Sequence, residues 1–310
     1  MTAEVGSADH LFVVGRPRTG STLLRQMLNR SPRICLAPET HFMRRARHVQ
    51  MARRLREAVG PNGIRALVDT LYTPDRYSTT GYWNWLRRNV PADEFAERLQ
   101  ITDLTPRALL SLAMRMYAER WCTTADAMMV GEKSPEHLAF VPQLLSWYPR
   151  ARFIHTFRDP RAIYVSELRR RQAGRWGIKQ RLPWLPAAVI DPLLAPIEAA
   201  HVALAWRRAA HLDRAYRHDV GDRYLLVRFE DLVVNPESEL RRICDFLGIP
   251  FDASLLDVRI TGSSYAADRH SGEGLDPQAA DRWREHLHPA VASFFRRALG
   301  RDMARHGYLD

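Results

Sequence analysis

The chain has 310 residues, of which 46% are hydrophobic, so it is long and apolar enough for one large domain or two small ones with a buried core. Its 46 lysines and arginines outnumber 35 aspartates and glutamates, which gives a formal charge of +11, and its only lysines are Lys133 and Lys179. This arginine-rich excess favours bidentate binding of an anionic small molecule. No zinc-finger or RNA-recognition signature accompanies the basic clusters, so nucleic acid is not expected as a partner.

The sequence shows no membrane or secretion signal. It has no uninterrupted apolar run of about 18 residues and no charged-then-apolar leader, so no stable membrane insertion is expected. Cys35, Cys122 and Cys244 are odd in number, widely spaced and without a metal-ligand pattern. They are expected to be buried thiols in a reducing compartment, with no structural metal. Together these features predict a cytoplasmic protein.

The first motif is a glycine-containing turn after the apolar run LFVV at residues 11 to 14. Gly15 and Gly20 have the G-x-x-x-x-G spacing of a phosphate-binding loop, and an apolar helical face follows. Backbone N–H groups in such a strand-to-helix turn face an anion, and the helix N-terminus adds partial positive charge. Ser21 stands where an ATP-binding loop has lysine, and Arg18 supplies the cation. The loop therefore predicts a phosphate site that need not be for ATP, against the alternative of a βα turn without a ligand.

Further apolar runs predict a buried parallel sheet. These strand candidates are ICLA (34 to 37), MMVG (128 to 131), ARFIHTFR (151 to 158) and RYLLVRF (223 to 229). Several intervening segments open with a capping residue and proline, a pair that starts helices: Thr105-Pro106, Ser134-Pro135, Asp159-Pro160, Asn235-Pro236 and Asp276-Pro277. The predicted fold is α/β, a P-loop-like open parallel sheet flanked by helices, with helical insertions at about 42–125 and 170–218. We expect a single domain over residues 1–310.

The predicted sheet also predicts where the site lies, because ligands of open α/β sheets bind at the carboxyl ends of the strands. The segments that follow the strands are Gly15 to Thr22, Glu39-Thr40-His41, Glu132-Lys133-Ser134 and Arg158-Asp159. We expect them to converge on one crevice. Each charged residue taken alone would more often be part of a surface ion pair.

Two of these segments resemble the cofactor motifs of sulfotransferases that use 3′-phosphoadenosine 5′-phosphosulfate. GRPRTGSTLL resembles their 5′-phosphosulfate loop, P-R-[ST]-G-[ST]-[ST], and FRDPRAIYVSELRRR resembles their second motif. RYLLVRFEDLVVNPESELRRICDFLGI is similar to the family's strand, E-D-L turn and proline-started helix. The resemblance implies the donor-binding residues Arg16, Pro17, Arg18, Thr19, Gly20, Ser21 and Thr22, with Arg158 and Ser166 on the 3′-phosphate. Arg269 and Trp283 are further candidates, as a lid over the adenosine, although Trp283 fits a core position equally well.

The E-T pair and the lysine-bearing turn resemble tyrosylprotein sulfotransferases and their bacterial relatives most. This resemblance implies that Glu39 is the general base and that Arg18 and Lys133 stabilise the transferring sulfuryl group and the bridging oxygen. It also implies assistance by a serine near Ser271, and the nearby Ser263 and Ser264 are alternatives. His41 is the rival base, because other branches of the family use histidine. In-line transfer would leave adenosine 3′,5′-bisphosphate, and no metal is required.

The acceptor is not fixed by the sequence. Aromatic residues at 72 to 92 and 174 to 197 suit the walls of an acceptor site, or they pack a helical subdomain. A small-molecule, carbohydrate, lipid or peptide acceptor with a hydroxyl or amine group is expected, and a homodimer is left open. The alternative functions are a P-loop kinase of small molecules and a nucleotide-binding module without catalysis.

Overall fold

The structure is a computed structural model and describes most of the chain. The described residues are 9–40, 42–43, 60–72, 90–100, 104–122, 129–172, 187–258 and 275–309. Three predicted site residues, His41, Arg269 and Ser271, lie outside these ranges, as do most of the two aromatic segments.

The described strands form a five-stranded sheet. They are β1 (Asp9–Gly15), β2 (Ile34–Ala37), β3 (Met129–Lys133), β4 (Arg152–Phe157) and β5 (Tyr224–Arg228). Their order is β2-β3-β1-β4-β5. β3 pairs in parallel with both β1 and β2, and Met129 is in register with Asp9 on one side and Ile34 on the other. The predicted α/β fold with a parallel sheet is confirmed, and each predicted strand is present with ends shifted by two residues at most.

Helices connect the strands. Within the described residues, helices of at least six residues in α-conformation are α1 (Ser21–Leu28), α2 (Gly60–Tyr72), α3 (Ala92–Gln100), α4 (Pro106–Trp121), α5 (Val141–Trp147), α6 (Pro160–Gln172), α7 (Ala187–Asp219), α8 (Phe229–Val234), α9 (Pro236–Leu247) and α10 (Pro289–Arg305).

The capping residue and proline pairs start helices as predicted, but two of the helices are of a different type. α4 begins at Pro106, and the Thr105 hydroxyl accepts from the Ala108 amide at 3.1 Å. This bond satisfies one of the orphan N–H groups at the helix start. Ser134-Pro135 and Asp276-Pro277 instead begin the short 3₁₀ helices Pro135–Phe140 and Pro277–Ala280. The proline fixes the first φ angle in both cases, and the short segments close i to i+3 bonds only.

The chain divides into two compact units. Unit 1 comprises Met1–Val14 and Leu28–Ile154, and unit 2 comprises Gly15–Met27 and His155–Asp310. The predicted single domain stays a prediction.

In unit 1, the apolar core lies around the strands, and α4 packs on β2 and β3. Phe12 and Phe153 are fully buried with ring centroids 5.5 Å apart. Cys35 of β2 forms a disulfide with Cys122, which caps the C-terminus of α4. The expectation of three free thiols is therefore wrong for this pair, because the fold brings together two cysteines that are 87 positions apart. Cys244, in unit 2, is a buried free thiol as expected.

In unit 2, the long helix α7 packs against α6 and α10. Its Trp206 is buried and donates from Nε1 to the Arg158 carbonyl at 2.9 Å, so the helix holds the residue that follows β4. Within the described part of the chain, no helix combines the length and the apolar character needed to cross a bilayer.

Candidate active site

The phosphate-binding loop predicted from the sequence is a turn between β1 and α1 in unit 2. Arg18 has a φ of 75° and Gly20 a φ of 84°, both in the left-handed region. A non-glycine residue rarely adopts that conformation, and when it does the surrounding structure must hold it. Left-handed residues in such turns aim successive backbone N–H groups at an anion. α1 begins at Ser21 directly after the turn, so its N-terminus adds partial positive charge there.

The turn is fixed by a buried threonine. The Thr19 hydroxyl donates to the Arg16 carbonyl at 2.6 Å and lies 2.7 Å from the Thr156 hydroxyl. Because the single Thr19 proton goes to Arg16, the Thr156 hydroxyl donates the second bond. Thr19 is 2% exposed, so its side chain supports the loop and leaves only its backbone for a ligand.

Gly20 is required by close packing as well as by its φ angle. A Cβ atom at this position would lie 2.4 Å from Cδ2 of Phe229, the first residue of α8. No side chain fits in that space, so the spaced glycine of the motif lets the aromatic ring lie directly against the loop.

Three predicted donor-binding side chains come together beside the loop. Arg18 Nε donates to Ser166 Oγ at 2.9 Å, and an Arg158 η-nitrogen donates to the Arg18 carbonyl at 3.2 Å. The other η-nitrogen of Arg158 donates to the Ala279 carbonyl at 3.0 Å, and its guanidinium lies 4.0 Å above the Phe229 ring. Two cations and a hydroxyl therefore lie next to a turn of left-handed residues, an arrangement suited to an anionic ligand.

Arg16 has a different place from its neighbours in the motif. Its guanidinium is buried and donates to Glu167 at 3.1 Å and to the Val202 carbonyl at 3.0 Å. Burial lowers the pKa of Arg16, while the Glu167 charge opposes that effect. The side chain thus anchors the loop to α6 and α7, and only the backbone of Arg16 remains for a donor. Of the other motif residues, Pro17 and Thr22 are exposed and Ser21 is buried.

The E-D-L turn contributes a residue that sequence reasoning missed. Glu230 accepts from the Asp159 amide at 3.0 Å and from the Tyr308 hydroxyl at 3.2 Å. Burial raises the pKa of Glu230, and the bond from Asp159 counteracts this only in part. Glu230 therefore fixes the backbone directly after Arg158. Glu230 is the first residue of the E-D-L motif, so this motif could have identified it from the sequence.

Trp283 is a buried side chain. Its exposed fraction is 5%, and the Arg161 guanidinium lies 4.5 Å from its ring centroid. Arg161 also pairs with Asp159 at 2.6 Å. Trp283 thus belongs to the packing around the start of α6, and its suggested part in a lid stays a prediction, since Arg269 lies outside the described residues.

In unit 1, Glu39 and Lys133 form a direct ion pair. The Lys133 side chain is 5% exposed and the Glu39 side chain 37% exposed. Lys133 ends β3, and Glu39 comes two residues after β2, so the strand ends bring them together as the sheet predicts. The pair offers a buried cation and a more accessible carboxylate.

The residue before Lys133 is a second carboxylate, Glu132, which is fully buried. It lies 2.6 Å from His137 Nδ1 and accepts from the Ser134 hydroxyl at 3.1 Å. Burial acts to raise the pKa of Glu132, but His137 and the hydroxyls of Thr40 and Ser134 outweigh burial and lower it. An ionised carboxylate in a core is tolerated only with such partners.

The structure thus forms two groups of predicted residues, each within one unit. Unit 2 contains Arg18, Arg158 and Ser166, and unit 1 contains Glu39 and Lys133. The predicted convergence of both groups on one crevice stays a prediction, as do the roles of His41 and Ser271. Among the residues that the structure describes, no group of three or more His, Cys, Asp or Glu side chains is arranged to hold a metal ion.

The parallel sheet, the loop at the end of β1 and the arginine at the end of β4 define a P-loop-like α/β protein. Its particular family follows from comparison with known proteins: residues 10–253 match the model of the sulfotransferase family, and the chain belongs to that family. It is an enzyme that transfers a sulfuryl group to an acceptor.

Individual relatives agree with this assignment. The chain is 26% identical to the omega-hydroxy-beta-dihydromenaquinone-9 sulfotransferase Stf3 of Mycobacterium bovis, over 91% of this chain and 78% of the relative. It is 22% identical to the protein-tyrosine sulfotransferase of Drosophila melanogaster, over 79% of this chain but only 39% of the relative. The solved sulfotransferase domain from the curacin biosynthetic pathway shares the fold with a TM-score of 0.56 at 21% identity, covering 95% of this chain and 97% of that one.

Proposed function

We propose that the sulfuryl donor is 3′-phosphoadenosine 5′-phosphosulfate, with its phosphosulfate end held by the loop from Gly15 to Thr22. The observation that carries this proposal is a pair of hydrogen bonds at the loop. Arg18 donates to Ser166, and Arg158 donates to the backbone carbonyl of Arg18. The residues fit such a donor, because it carries two separate anionic groups and the cluster offers two guanidinium groups, a hydroxyl and the N-terminus of α1. Ser21 replaces the lysine that a triphosphate would need, which favours this donor over ATP.

The chemistry assigns roles to the two groups of residues. When bound, the donor supplies an activated sulfuryl group and leaves as adenosine 3′,5′-bisphosphate. The acceptor oxygen forms a bond to sulfur, the bond from sulfur to the bridging phosphate oxygen breaks, and Glu39 takes the acceptor's hydroxyl proton. Arg18 and Lys133 offset the negative charge on the sulfuryl and bridging oxygens, as cations do in phosphoryl transfer. His41 is the alternative base, and a serine near Ser271 assists.

For the acceptor we propose a hydroxyl-bearing small molecule, carbohydrate, lipid or peptide. The two relatives described above carry the names of a menaquinone enzyme and of a protein-tyrosine enzyme, so the family accommodates acceptors of unlike size. The more exposed Glu39 of the ion pair supports an acceptor that approaches from solvent. Incubation of the protein with ³⁵S-labelled donor and representatives of each class would identify the acceptor by label transfer.

We also propose that the protein forms a homodimer, which light scattering would test by its molar mass. Separately, we propose a cytoplasmic location. Fractionation of cells tests this location. The protein is expected in the cytosolic fraction, and recovery with the membrane or secreted fraction would contradict the proposal.

Binding calorimetry tests the donor assignment. Adenosine 3′,5′-bisphosphate should bind the protein, and adenosine 5′-phosphate, which lacks the 3′-phosphate, should bind at least about tenfold more weakly, because a charge-assisted contact contributes roughly 1.5–3 kcal/mol. Strong binding of ATP with magnesium, together with no binding of the bisphosphate, would refute the assignment in favour of a kinase.

A further inference from the structure

Glu132 adjoins the proposed catalytic lysine in sequence, yet it lies inside the protein. It is 0% exposed, whereas Glu39 is the accessible carboxylate of the neighbouring pair. A buried carboxylate costs several kcal/mol unless its oxygens are bonded. A residue this costly next to Lys133 calls for a physical reason.

The hydrogen bonds define the protonation of its partners. The Met43 amide donates to His137 Nε2 at 3.1 Å, and an amide can donate only to an unprotonated ring nitrogen. The proton of His137 is therefore on Nδ1, which lies 2.6 Å from Glu132 Oε1. Ser134 Oγ donates to the other carboxylate oxygen at 3.1 Å.

Each partner of Glu132 in turn holds a backbone amide of the segment that follows Glu39. Ser134 Oγ accepts from the Thr40 amide at 3.2 Å, and Thr40 Oγ1 accepts from the Phe42 amide at 3.1 Å. His137 Nε2 accepts from Met43. Through Ser134, Thr40 and His137, one buried carboxylate is thus linked to the backbone amides of Thr40, Phe42 and Met43.

This network reaches both members of the Glu39–Lys133 pair. Thr40 follows Glu39 directly, and Ser134 follows Lys133 directly, so the bond between the Thr40 amide and Ser134 Oγ joins the two segments one residue beyond the pair. In addition, Glu132 is in register with Ala37 across the β2–β3 ladder, which aligns the same two segments from the strand side.

We infer that Glu132, acting through Ser134, Thr40 and His137, is a positioning residue that holds Glu39 and Lys133 in the geometry for sulfuryl transfer. The inference rests on the proposed function for the roles of the pair. A neutral side chain of the same shape cannot satisfy this network. With Glu132→Gln, the amide oxygen can still lie against His137 Nδ1, but the NH₂ group then faces the Ser134 hydroxyl, which loses its acceptor.

Three measurements on Glu132→Gln test this inference, and two of them do not depend on activity. Hydrogen exchange of the Thr40 amide should speed up by roughly tenfold or more. The Met43 amide should be less affected, because its bond to His137 Nε2 survives. Reductive methylation of Lys133, which is resolved easily in a chain with two lysines, should speed up relative to Lys179. The kcat for label transfer to the acceptor that the wild type uses should fall roughly 10- to 100-fold, with bisphosphate affinity within about twofold of the wild type.

A second variant and a control keep the test decisive if Glu132→Gln folds poorly. His137→Ala should produce the reverse pattern, with faster exchange at Met43 than at Thr40 and the same separation of kcat from bisphosphate affinity. The control is Ser111→Ala in the same unit. It removes a hydroxyl that lies 2.8 Å from the Tyr148 hydroxyl. It should leave exchange of the Thr40, Phe42 and Met43 amides, Lys133 methylation and kcat unchanged.

Wild-type exchange rates at the Thr40, Phe42 and Met43 amides in both variants would overturn the network. Faster exchange with kcat within about twofold of the wild type would overturn the positioning role. A wild-type protein that neither binds the bisphosphate nor transfers label would refute the proposed function, and with it the positioning role. The exchange and methylation results would still show whether Glu132 fixes the pair, so the two failures are distinguishable.

Discussion

Protonation of His155 should destabilise the protein as the pH falls. His155 is fully buried, and its Nδ1 lies 2.5 Å from the Tyr224 hydroxyl. That hydroxyl donates to Asp213 at 3.2 Å, so Nδ1 must carry the imidazole proton and donate to Tyr224. Among the described residues, Nε2 has no hydrogen-bond partner. A second proton would therefore add a charge and an unpaired N–H in the interior.

The magnitude follows from the pKa. Burial lowers the pKa of His155 to about 4, with Asp213 opposing and His306 and Arg217 adding to the effect. The unfolded chain, with a pKa near 6.5, binds the proton first, so the contribution is fully present above pH 6.5 and is lost as the pH falls toward 4. A difference of about 2.5 in pKa corresponds to about 3.4 kcal/mol in total, of which about 2 kcal/mol is lost by pH 5.

Urea unfolding of the wild type and His155→Gln between pH 8 and pH 4.5 measures this contribution. Gln can still donate to Tyr224 but cannot titrate, so the free energy of unfolding of the variant should fall less steeply below pH 6.5, by about 2 kcal/mol at pH 5. Asp213, His306 and Arg217 are present in both proteins, so their direct contributions largely cancel in the comparison. The matched control is His218→Gln, which replaces an exposed histidine of the same unit and keeps His155. Its free energy of unfolding should still fall by about 2 kcal/mol more than that of His155→Gln at pH 5. Equal pH dependence in His155→Gln and the wild type would refute the reasoning.

Three further predictions concern the donor site and the disulfide. Lys133→Ala should abolish measurable sulfuryl transfer while bisphosphate affinity in calorimetry stays within a few-fold of wild type, and near-normal turnover would contradict the role given to Lys133. Arg158→Ala should weaken bisphosphate binding roughly 10- to 100-fold and remove the preference over adenosine 5′-phosphate, whereas an unchanged preference would assign the 3′-phosphate elsewhere. Reduction of the Cys35–Cys122 disulfide, which links residues 87 apart, should lower the free energy of unfolding by up to about 4.6 kcal/mol. Urea unfolding with and without reductant measures this loss, and Cys35→Ser should match the reduced wild type and be insensitive to reductant.

Local patterns predicted the elements on which the site is built. The apolar runs marked the strands because a buried parallel strand needs apolar residues on both faces. The Thr105-Pro106 pair marked the start of α4, since capping and a fixed φ act within one helical turn. The loop was recognisable because its glycines are required by local geometry. Gly15 and Gly20 have positive φ angles, and the Phe229 ring packs where a Cβ atom of residue 20 would lie.

Side-chain direction within the motifs was not predictable in the same way. Arg16 and Arg18 stand two positions apart in one loop, yet the first is buried against Glu167 and the second reaches Ser166. The partners lie about 150 positions away in the sequence, and no local pattern states which arginine meets which. The disulfide between Cys35 and Cys122 was missed for this reason also.

The sequence by itself determined the family, the parallel α/β sheet and the position of the glycine-containing loop, because those depend on residue types at fixed short spacings. Only the tertiary structure decided which charged residues are exposed and which are buried. It placed Glu39 beside Lys133 and enclosed Glu132 one residue from that lysine among His137, Ser134 and Thr40. Successive residues of a strand point to opposite faces, and the partner available on each face comes from distant parts of the chain, so the roles of adjacent residues separate only on folding.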